Sequence, residues 1–343
     1  MTDPQPLVSI IIPCRNEERT IGLLLDALDR QTYPLKRMEI VVSDGFSTDR
    51  TRRRIQEFAE AHPQLPLRIV DNPGLTAPTA LNAGLRAAAG EIILRMDAHA
   101  VPDPDYVEQS VRLLEETGCD AVGGAWNVRP GAPGTIARAI AAAVGSPFAA
   151  GGVRYRVGGQ SGEVDTVPFG TFRREVIDRV GLFNEQVPVN EDYEFFFRIR
   201  AAGGRIYFSP EIRSQYFARA TLRSVARQYF VYGRQKAAMI SFHPRSLRLR
   251  QVIPAVFVLS LAALGLGSIV FPAWKFLLGA EVVLYAVVNA GFSLREGLKQ
   301  KSPALTVVLP WVYACIHLSW GTGFWGGFVM HFGRLFRSLT GGK

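Results

Sequence analysis

The sequence predicts an α/β fold with a mostly parallel sheet and helices on both faces, followed by long apolar helices. Two observations lead to this prediction. Residues 7–125 alternate short apolar runs with segments of helical periodicity, an order that is typical of parallel sheets. Although 20% of the chain is charged, its last third contains long runs without charge. We therefore expect two regions of different character.

Each predicted element rests on its own pattern. Apolar runs predict strands at residues 8–12, 39–42, 67–70, 91–96 and 121–124. Apolar residues at helical spacing predict helices at 17–28, 48–61, 77–89 and 104–117. Further elements are predicted at 164–172 (strand), 173–180 and 193–201 (helices) and 205–208 (strand). The glycine-rich segment 145–162 is expected to be either a lid or a surface loop.

Three apolar runs lie near the C-terminus. Residues 251–274 and 302–333 carry no charge, and 276–294 contains only Glu281. Because roughly 20 apolar residues span a bilayer, these runs predict about three spans. Glycines at 321, 323, 326 and 327 leave open whether the last run is broken or re-entrant. That alternative decides on which side Arg334, Arg337 and Lys343 lie.

A basic segment precedes the first apolar run. Residues 212–250 hold nine bases, which equals the net charge of +9, and no acid occurs between residues 212 and 279. By the positive-inside rule such a segment marks the cytoplasmic face, where it attracts anionic lipids. Nucleic acid could bind a basic patch too, but the adjoining span favours lipid. We therefore expect membrane lipids as partners and no nucleic acid.

Four polar clusters follow predicted strands or turns: Pro13-Cys14-Arg15-Asn16-Glu17-Glu18, the segment 43–49, Asp97-Ala98-His99, and Asn190-Glu191-Asp192. The carboxyl ends of parallel strands line the ligand crevice. Asp97 and His99 offer an oxygen and a nitrogen suited to Mg²⁺ or Mn²⁺. Each acid could alternatively cap a helix. No G-x-G-x-x-G follows the first strand and no P-loop occurs, which disfavours dehydrogenases and P-loop NTPases.

Over residues 7–210 these motifs resemble family 2 glycosyltransferases, which are inverting enzymes of the GT-A fold that use nucleotide-diphospho-sugars. The resemblance is carried by residues 8–13 with Asn16-Glu17-Glu18, Asp44-Gly45-x-Ser47-x-Asp49, Asn82-Ala83-Gly84-Leu85 with Gly90-Glu91, Asp97-Ala98-His99, residues 169–174, and Glu191-Asp192. The Asp-Ala-His variant and the spans look most like membrane-anchored exopolysaccharide glucosyltransferases of the succinoglycan type. The implied fold is a Rossmann-like GT-A sheet.

The resemblance also implies roles for individual residues. Donor binding would fall to Pro13, Arg15, Asn16, Glu17, Asp44, Asn82 and Asp97. Asp97 and His99 would hold a divalent metal, Mg or Mn. Asp192 would be the general base, and Glu191 would position the acceptor or Asp192. Many relatives have Asp-x-Asp where this chain has Asp97-Ala98-His99, so the preferred metal stays open.

The expected acceptor is a polyprenyl-diphosphate-linked saccharide, bound by Trp126, Phe169, Gly170, Thr171, Arg227, Arg234 and Lys236. For Trp126 and Phe169, core packing is an equal alternative. Arg219, Arg223, Arg227 and Arg234 share one face of a predicted helix, which suits either an amphipathic interface helix or pyrophosphate binding by Arg227, Arg234 and Lys236.

The predicted organisation is a cytosolic catalytic domain at 1–215, a basic amphipathic membrane-interface segment at 216–250, and a transmembrane region at 251–343. Scattered cysteines and the absence of a recognisable signal peptide favour an enzyme of the inner membrane with a cytoplasmic catalytic domain.

The predicted reaction moves a hexose, with UDP-sugar as the expected donor, to a hydroxyl of a lipid-linked saccharide. A polyprenyl-phosphate sugar synthase is disfavoured because its anionic acceptor needs no general base. A processive synthase is disfavoured because no Gln-x-x-Arg-Trp motif occurs. A catalytically inactive membrane assembly subunit is disfavoured because all four polar clusters are present.

Overall fold

The structure is a computed structural model that describes the backbone of residues 5–339 and the side chains of residues 5–332. The chain divides into two compact units, Met1–Asn127 with Gly158–Tyr216, and Val128–Val157 with Phe217–Lys343. The organisation predicted from the sequence stays a prediction, and this division places a boundary near residue 216. It differs from that organisation in grouping residues 128–157 with the C-terminal third.

The first unit is built on a mixed sheet that, in the described part of the chain, has nine strands. They are β1 (Val8–Cys14), β2 (Met38–Asp44), β3 (Leu67–Asp71), β4 (Ile92–Arg95), β5 (Val101–Pro102), β6 (Ala121–Arg129), β7 (Gly162–Glu163), β8 (Thr171–Arg173) and β9 (Ile206–Phe217). Their order is β3-β2-β1-β4-β8-β6-β9-β5, and β7 pairs with β9.

The first half of the sheet is parallel, as predicted. Strand β1 pairs in parallel with β2 and β4, and β2 pairs in parallel with β3. The connecting helices are α1 (Ile21–Asp29), α2 (Thr51–Ala61), α3 (Ala77–Ala87) and α4 (Tyr106–Thr117). Apolar side chains of β1 and β2 are buried along nearly the whole length of both strands, which is typical of a sheet covered on both faces.

The second half pairs differently: residues 121–124, predicted to continue the parallel order, keep the direction of β4 within β6 but are separated from it by an antiparallel strand. Strand β8 lies between β4 and β6 and runs antiparallel to both. Its three residues form too short a pattern for their direction to be predicted. Helices α8 (Glu175–Val180) and α9 (Glu191–Ala201) confirm the helices predicted there; α9 begins directly after Asn190, whose φ is 64°.

The second unit is helical. Its elements are α5 (Thr135–Val144), α6 (Pro147–Ala150), α7 (Arg154–Val157), α10 (Leu222–Phe242), α11 (Leu249–Val270), α12 (Trp274–Lys299) and α13 (Pro303–Leu339). Helices α11, α12 and α13 are long and apolar enough to cross a membrane. The glycine-rich segment 145–162, predicted as a lid or a surface loop, contains the two short helices α6 and α7. Helix α10 begins at Leu222, so the expectation that Arg219 shares its face is wrong.

The glycines of the last apolar run are packing positions within an unbroken helix. A Cβ added at Gly323 would overlap the carbonyl oxygen of Phe230, and one at Gly327 would overlap that of Arg234. Small residues let apolar helices approach to backbone contact, and here they bring α13 against α10. The described part of α13 is therefore continuous. The predicted location of the tail concerns Arg334 and Arg337, whose side chains lie outside the described part of the chain, and Lys343, which lies outside it entirely.

Candidate active site

A buried arginine holds three carboxylates together in the first unit. Arg95, the last residue of β4, donates from Nη2 to Oε1 of Glu191 at 2.8 Å and to Oδ1 of Asp97 at 2.9 Å. Its Nη1 donates to Oδ2 of Asp192 at 3.4 Å. A buried charge needs such partners, because desolvation of an unpaired ion is costly. Arg95 thus joins Asp192, the predicted general base, and its neighbour Glu191 to Asp97, a predicted metal ligand.

The sequence contained a signal for Arg95 that the predictions did not use. The residue stands in the apolar run Ile92-Ile93-Leu94-Arg95-Met96. A strand that is buried on both faces admits a guanidinium only where acids compensate it. The charge within this run therefore indicated that the acids of another element would meet β4.

Glu191 is the most deeply buried acid of this cluster, with 6% of its surface exposed. Burial raises its pKa to about 7, and the neighbouring Asp192 adds to the effect, whereas Arg95 opposes it. Burial prevails because the single charge of Arg95 is divided among three carboxylates. Near neutral pH, Glu191 is therefore partly protonated.

Asp192 occupies a different environment from Glu191, although both lie in the first turn of α9. The Asp192 side chain is 31% exposed, and its Oδ1 accepts a hydrogen bond from the backbone N–H of Tyr193 at 2.7 Å. An acid in this turn is also favoured by the helix dipole. Of the two acids, Asp192 is the one that a substrate hydroxyl can approach.

Asp97 and His99 lie in a turn directly after β4, where the backbone N–H of Ala100 donates to the carbonyl oxygen of Asp97 at 2.9 Å. Nδ1 of His99 lies 3.3 Å from Oε1 of Glu17. If Nδ1 carries the proton and donates to this carboxylate, Nε2 keeps the lone pair that a metal would take. This contact orients the imidazole.

The carboxylate of Asp97 and the imidazole of His99 suit a divalent metal ion that enters the site bound to a diphosphate. The side chains of Asp97 and His99 are 27% and 41% exposed, so both can be reached from solvent. Within the described residues, no group of three or more His, Cys, Asp or Glu side chains forms an all-protein metal site. Mg²⁺ is commonly held by one or two carboxylates together with substrate phosphates and water, and imidazole also suits Mn²⁺.

The loops after β1 and β2 are bonded to each other. The buried carboxylate of Asp44 accepts from the backbone N–H and the hydroxyl of Ser47, at 3.1 and 2.5 Å, and lies 3.3 Å from Nε of Arg52. Asn16 accepts from the backbone N–H of Thr48 at 2.9 Å. Asp44 therefore organises this corner from a fully buried position, and its contact with the nucleotide stays a prediction.

The remaining residues of the first loop line the same corner. The backbone N–H of Gly45 donates to the carbonyl oxygen of Cys14 at 2.9 Å, and Pro13 pairs with Ser43 across the sheet. The exposed Arg15 side chain passes over Gly45, where a Cβ would lie 3.3 Å from its Cδ. Burial and nearby acids raise the pKa of the Cys14 thiol, so Cys14 is not a nucleophile.

Asn82 has a different environment from the other predicted donor-binding residues. Its Nδ2 donates to the carbonyl oxygen of Phe183 at 2.9 Å and to Oε1 of Glu185 at 2.8 Å. Its Oδ1 accepts from the backbone N–H of Phe183 at 2.9 Å. The buried amide therefore fastens the loop that leads to Glu191. Donor contact by Asn82 stays a prediction.

Residues 169–171 lie next to Arg95 in the interior of the first unit. Phe169 is buried in the core and its carbonyl oxygen accepts from the hydroxyl of Tyr106 at 3.1 Å. The carbonyl oxygen of Gly170 accepts from the backbone N–H of Arg95 at 3.2 Å, and Thr171 is also buried. These contacts favour the packing alternative for Phe169.

The Trp126 indole stacks on the ring of Tyr216, with 4.1 Å between ring centroids. Trp126 is only partly buried, so this contact leaves part of its surface exposed. Its predicted contact with an acceptor sugar stays a prediction.

The predicted pyrophosphate-binding residues belong to the second unit. Arg227 is exposed on α10, and Arg234 is partly buried. The structure departs from the prediction at Lys236, which is buried and donates from Nζ to the carbonyl oxygen of Ser246 at 3.0 Å. This bond holds the ammonium of Lys236 against the turn that contains Ser246. The geometry therefore favours a structural role for Lys236.

Comparison with known proteins connects this site to a family. Residues 9–181 match the family model described as Glycosyl transferase family 2. The succinoglycan biosynthesis protein ExoA of Rhizobium meliloti is 30% identical over 320 residues, which cover 92% of this chain and 93% of that protein. A dolichyl N-acetyl-α-D-glucosaminyl phosphate 3-β-D-2,3-diacetamido-2,3-dideoxy-β-D-glucuronosyltransferase of Methanococcus voltae is 26% identical over 94% of this chain and 97% of its own length.

Solved structures resemble the fold. The mannosyltransferase PcManGT of Pyrobaculum calidifontis, solved with GDP-Man and Mn²⁺, superposes with a TM-score of 0.57 at 22% identity, over 92% of this chain and 87% of its own. S. aureus TarS 1–349 with UDP gives a TM-score of 0.51 at 17% identity, over 93% and 90%. At these identities the likeness concerns the fold alone, and it confirms the predicted GT-A-like α/β architecture.

Proposed function

The chain belongs to glycosyl transferase family 2, and from that premise we propose that it moves a hexose from a nucleotide-diphospho-sugar to a hydroxyl of a lipid-linked saccharide. The broader activity, a glycosyltransferase of polysaccharide or glycolipid synthesis, follows from the family and its relatives. UDP is the proposed nucleotide. The proposed acceptor carries a polyprenyl diphosphate.

The observation that carries this proposal is the cluster around Arg95. It combines the accessible carboxylate of Asp192 with Asp97, the proposed donor-side acid, through one guanidinium. Acceptor activation and donor binding need these two groups near each other. The Methanococcus voltae relative is named for transfer to a dolichyl N-acetylglucosaminyl phosphate, which supports a lipid-linked acceptor.

In the proposed reaction, Asp192 accepts the proton of the acceptor hydroxyl as that oxygen attacks the anomeric carbon. The new oxygen–carbon bond forms on the face opposite the bond to the diphosphate, which breaks and releases the nucleoside diphosphate. One such displacement converts an α-linked donor into a β-linked product. Glu191 helps to hold Asp192 in place, because Arg95 donates to both carboxylates.

Asp97 and His99 are the proposed ligands of Mg²⁺ or Mn²⁺. When bound, the ion would supply Lewis-acid stabilisation of the charge that develops on the departing diphosphate. Glu17 would keep the imidazole of His99 oriented. The structure of PcManGT was solved with Mn²⁺, which supports the choice of a divalent metal.

We further propose that the first unit lies on the cytoplasmic side of the inner membrane. Helices α11–α13 provide the candidate spans. The basic segment before them supports this orientation through the positive-inside rule.

A transfer assay tests the proposal. The purified protein is reconstituted with a bacterial lipid extract, MnCl₂ and labelled UDP-Glc, UDP-Gal, UDP-GlcNAc or GDP-Man. We expect label in the lipid-linked saccharide fraction, its loss in Asp192→Asn, and its retention in the surface control Asp178→Asn. Robust transfer to polyprenyl phosphate by Asp192→Asn would instead support a polyprenyl-phosphate sugar synthase. Failure to bind any donor would support an inactive assembly subunit.

A further inference from the structure

We propose that Arg95 is a positioning residue that exchanges partners during turnover. It donates to Asp97 in the structure and, once a divalent cation binds Asp97, it would tighten its hold on Glu191 and Asp192. The inference rests on the proposed function, because it requires the metal at Asp97. It adds a connection between Asp97, on the proposed donor side, and Asp192, the proposed general base.

The geometry of the guanidinium supports such an exchange. One nitrogen, Nη2, serves both Asp97 and Glu191, at 2.9 and 2.8 Å. The other, Nη1, reaches Asp192 only at 3.4 Å, near the limit of a hydrogen bond. Asp192 is therefore the weakly held member of the cluster, and a small movement of Arg95 toward it would shorten this contact. Catalytic hydrogen bonds often tighten in this way when ligands bind.

The charges give the movement its direction. Arg95 is one positive charge among three carboxylates, so it compensates them incompletely. A divalent cation on Asp97 would take over compensation of that acid and repel the adjacent guanidinium. Glu191 and Asp192 would remain as the partners of Arg95. Metal binding would thus orient Asp192 for the acceptor hydroxyl.

A consequence is that Arg95 and the metal compete for Asp97. Removing the guanidinium should therefore strengthen metal binding while it weakens catalysis. A purely structural arginine would behave differently, because its loss would weaken metal binding and stability together.

Binding of Mn²⁺ alone, measured by the loss of the free-ion EPR signal, separates these cases. We expect Arg95→Gln to bind Mn²⁺ at least threefold more tightly than the wild type. In the transfer assay its kcat should fall at least 100-fold, with the donor KM changed less than threefold. Arg95→Lys, which keeps the charge, should bind Mn²⁺ like the wild type and recover part of kcat. Equal or weaker Mn²⁺ binding by Arg95→Gln would overturn the exchange.

Arg174, the residue after β8, offers a matched control because its side chain contacts the segment that precedes β4. Its guanidinium donates to the carbonyl oxygens of Gly90 and Ala88, at 2.7 and 2.8 Å. Arg174→Gln should lower the Tm without changing Mn²⁺ affinity. Should Arg95→Gln fail to fold, Arg95→Gln combined with Glu191→Gln keeps the net charge of the cluster and is compared with Glu191→Gln alone, with the same expected increase.

Asp97→Asn distinguishes failure of the inference from failure of the proposed function. If Asp97→Asn binds Mn²⁺ as well as the wild type does, the proposed metal site is wrong and the exchange fails with it. If Mn²⁺ binding is lost in Asp97→Asn but unchanged in Arg95→Gln, the metal site stands and only the exchange is overturned.

Discussion

Arg95 and Glu191 form a buried ion pair, with Nη2 and Oε1 separated by 2.8 Å. The pair fastens the end of β4 to the first turn of α9, and so determines where Asp192 stands relative to Asp97. Removing one partner of a buried pair typically costs about 3–5 kcal/mol, because the other charge is left uncompensated. Stability and activity are therefore connected at this contact, and the following predictions separate them.

Stability should fall as the pH rises toward 8, because burial raises the pKa of Glu191 from 4.5 to about 7. Below pH 4.5 the group is protonated in both the folded and the unfolded state. Between these two values the unfolded chain releases the proton first, so stability is lost as the pH rises through the folded pKa, by on the order of 3 kcal/mol. We expect Glu191→Gln to have a flatter dependence of Tm on pH from 5 to 8. Parallel curves for both proteins would contradict this assignment.

Asp192→Asn should lose catalysis but keep nucleotide binding. A general base contributes about 10²–10⁴ in rate, and the amide cannot accept the hydroxyl proton. We expect kcat to fall within that range while the Kd for the nucleotide, measured by calorimetry with Mn²⁺, is unchanged. A matched loss of nucleotide affinity would mean that Asp192 serves the donor instead.

Asn82→Ala should loosen the loop before α9. The substitution removes both bonds to the Phe183 backbone, and unsatisfied buried groups cost about 1–3 kcal/mol each. We expect a lower Tm and a lower kcat with an unchanged nucleotide Kd. Gln186→Ala, at an exposed position of the same loop, is the control and should have little effect. A selective rise in the nucleotide Kd of Asn82→Ala would support the donor-binding role predicted from the sequence.

Gly323→Ala should disrupt the second unit. The added Cβ would overlap the carbonyl oxygen of Phe230, and overpacking of this kind costs about 1–3 kcal/mol. Gly279 of α12 is the control, because no atom lies within 4 Å of an added Cβ there. Thermal unfolding in detergent, monitored by size-exclusion chromatography, should show a lower midpoint for Gly323→Ala. The midpoint of Gly279→Ala should equal that of the wild type.

The parallel half of the sheet could be predicted because its strands are long apolar runs separated by amphipathic helices. Strand β8 could not be placed, since Thr171–Arg173 is too short to show a period or a direction. The grouping of residues 128–157 with the C-terminal third depends on packing between segments that are far apart in the chain. Local patterns carry no such information.

The site shows the same limit. Asp97, Glu191 and Asp192 could be selected from their motifs, and the structure brings all three to Arg95. They share one guanidinium because the tertiary fold places the end of β4 next to the start of α9. Local sequence patterns do not specify that arrangement. The buried position of Lys236 likewise depends on the turn that contains Ser246.

The anomeric configuration of the product tests the central claim most directly. The wild-type enzyme is given an α-linked UDP-sugar and the lipid-linked acceptor, and the glycosidic linkage in the purified product is assigned by NMR. A single displacement assisted by Asp192 predicts a β-linked product. An α-linked product would contradict it.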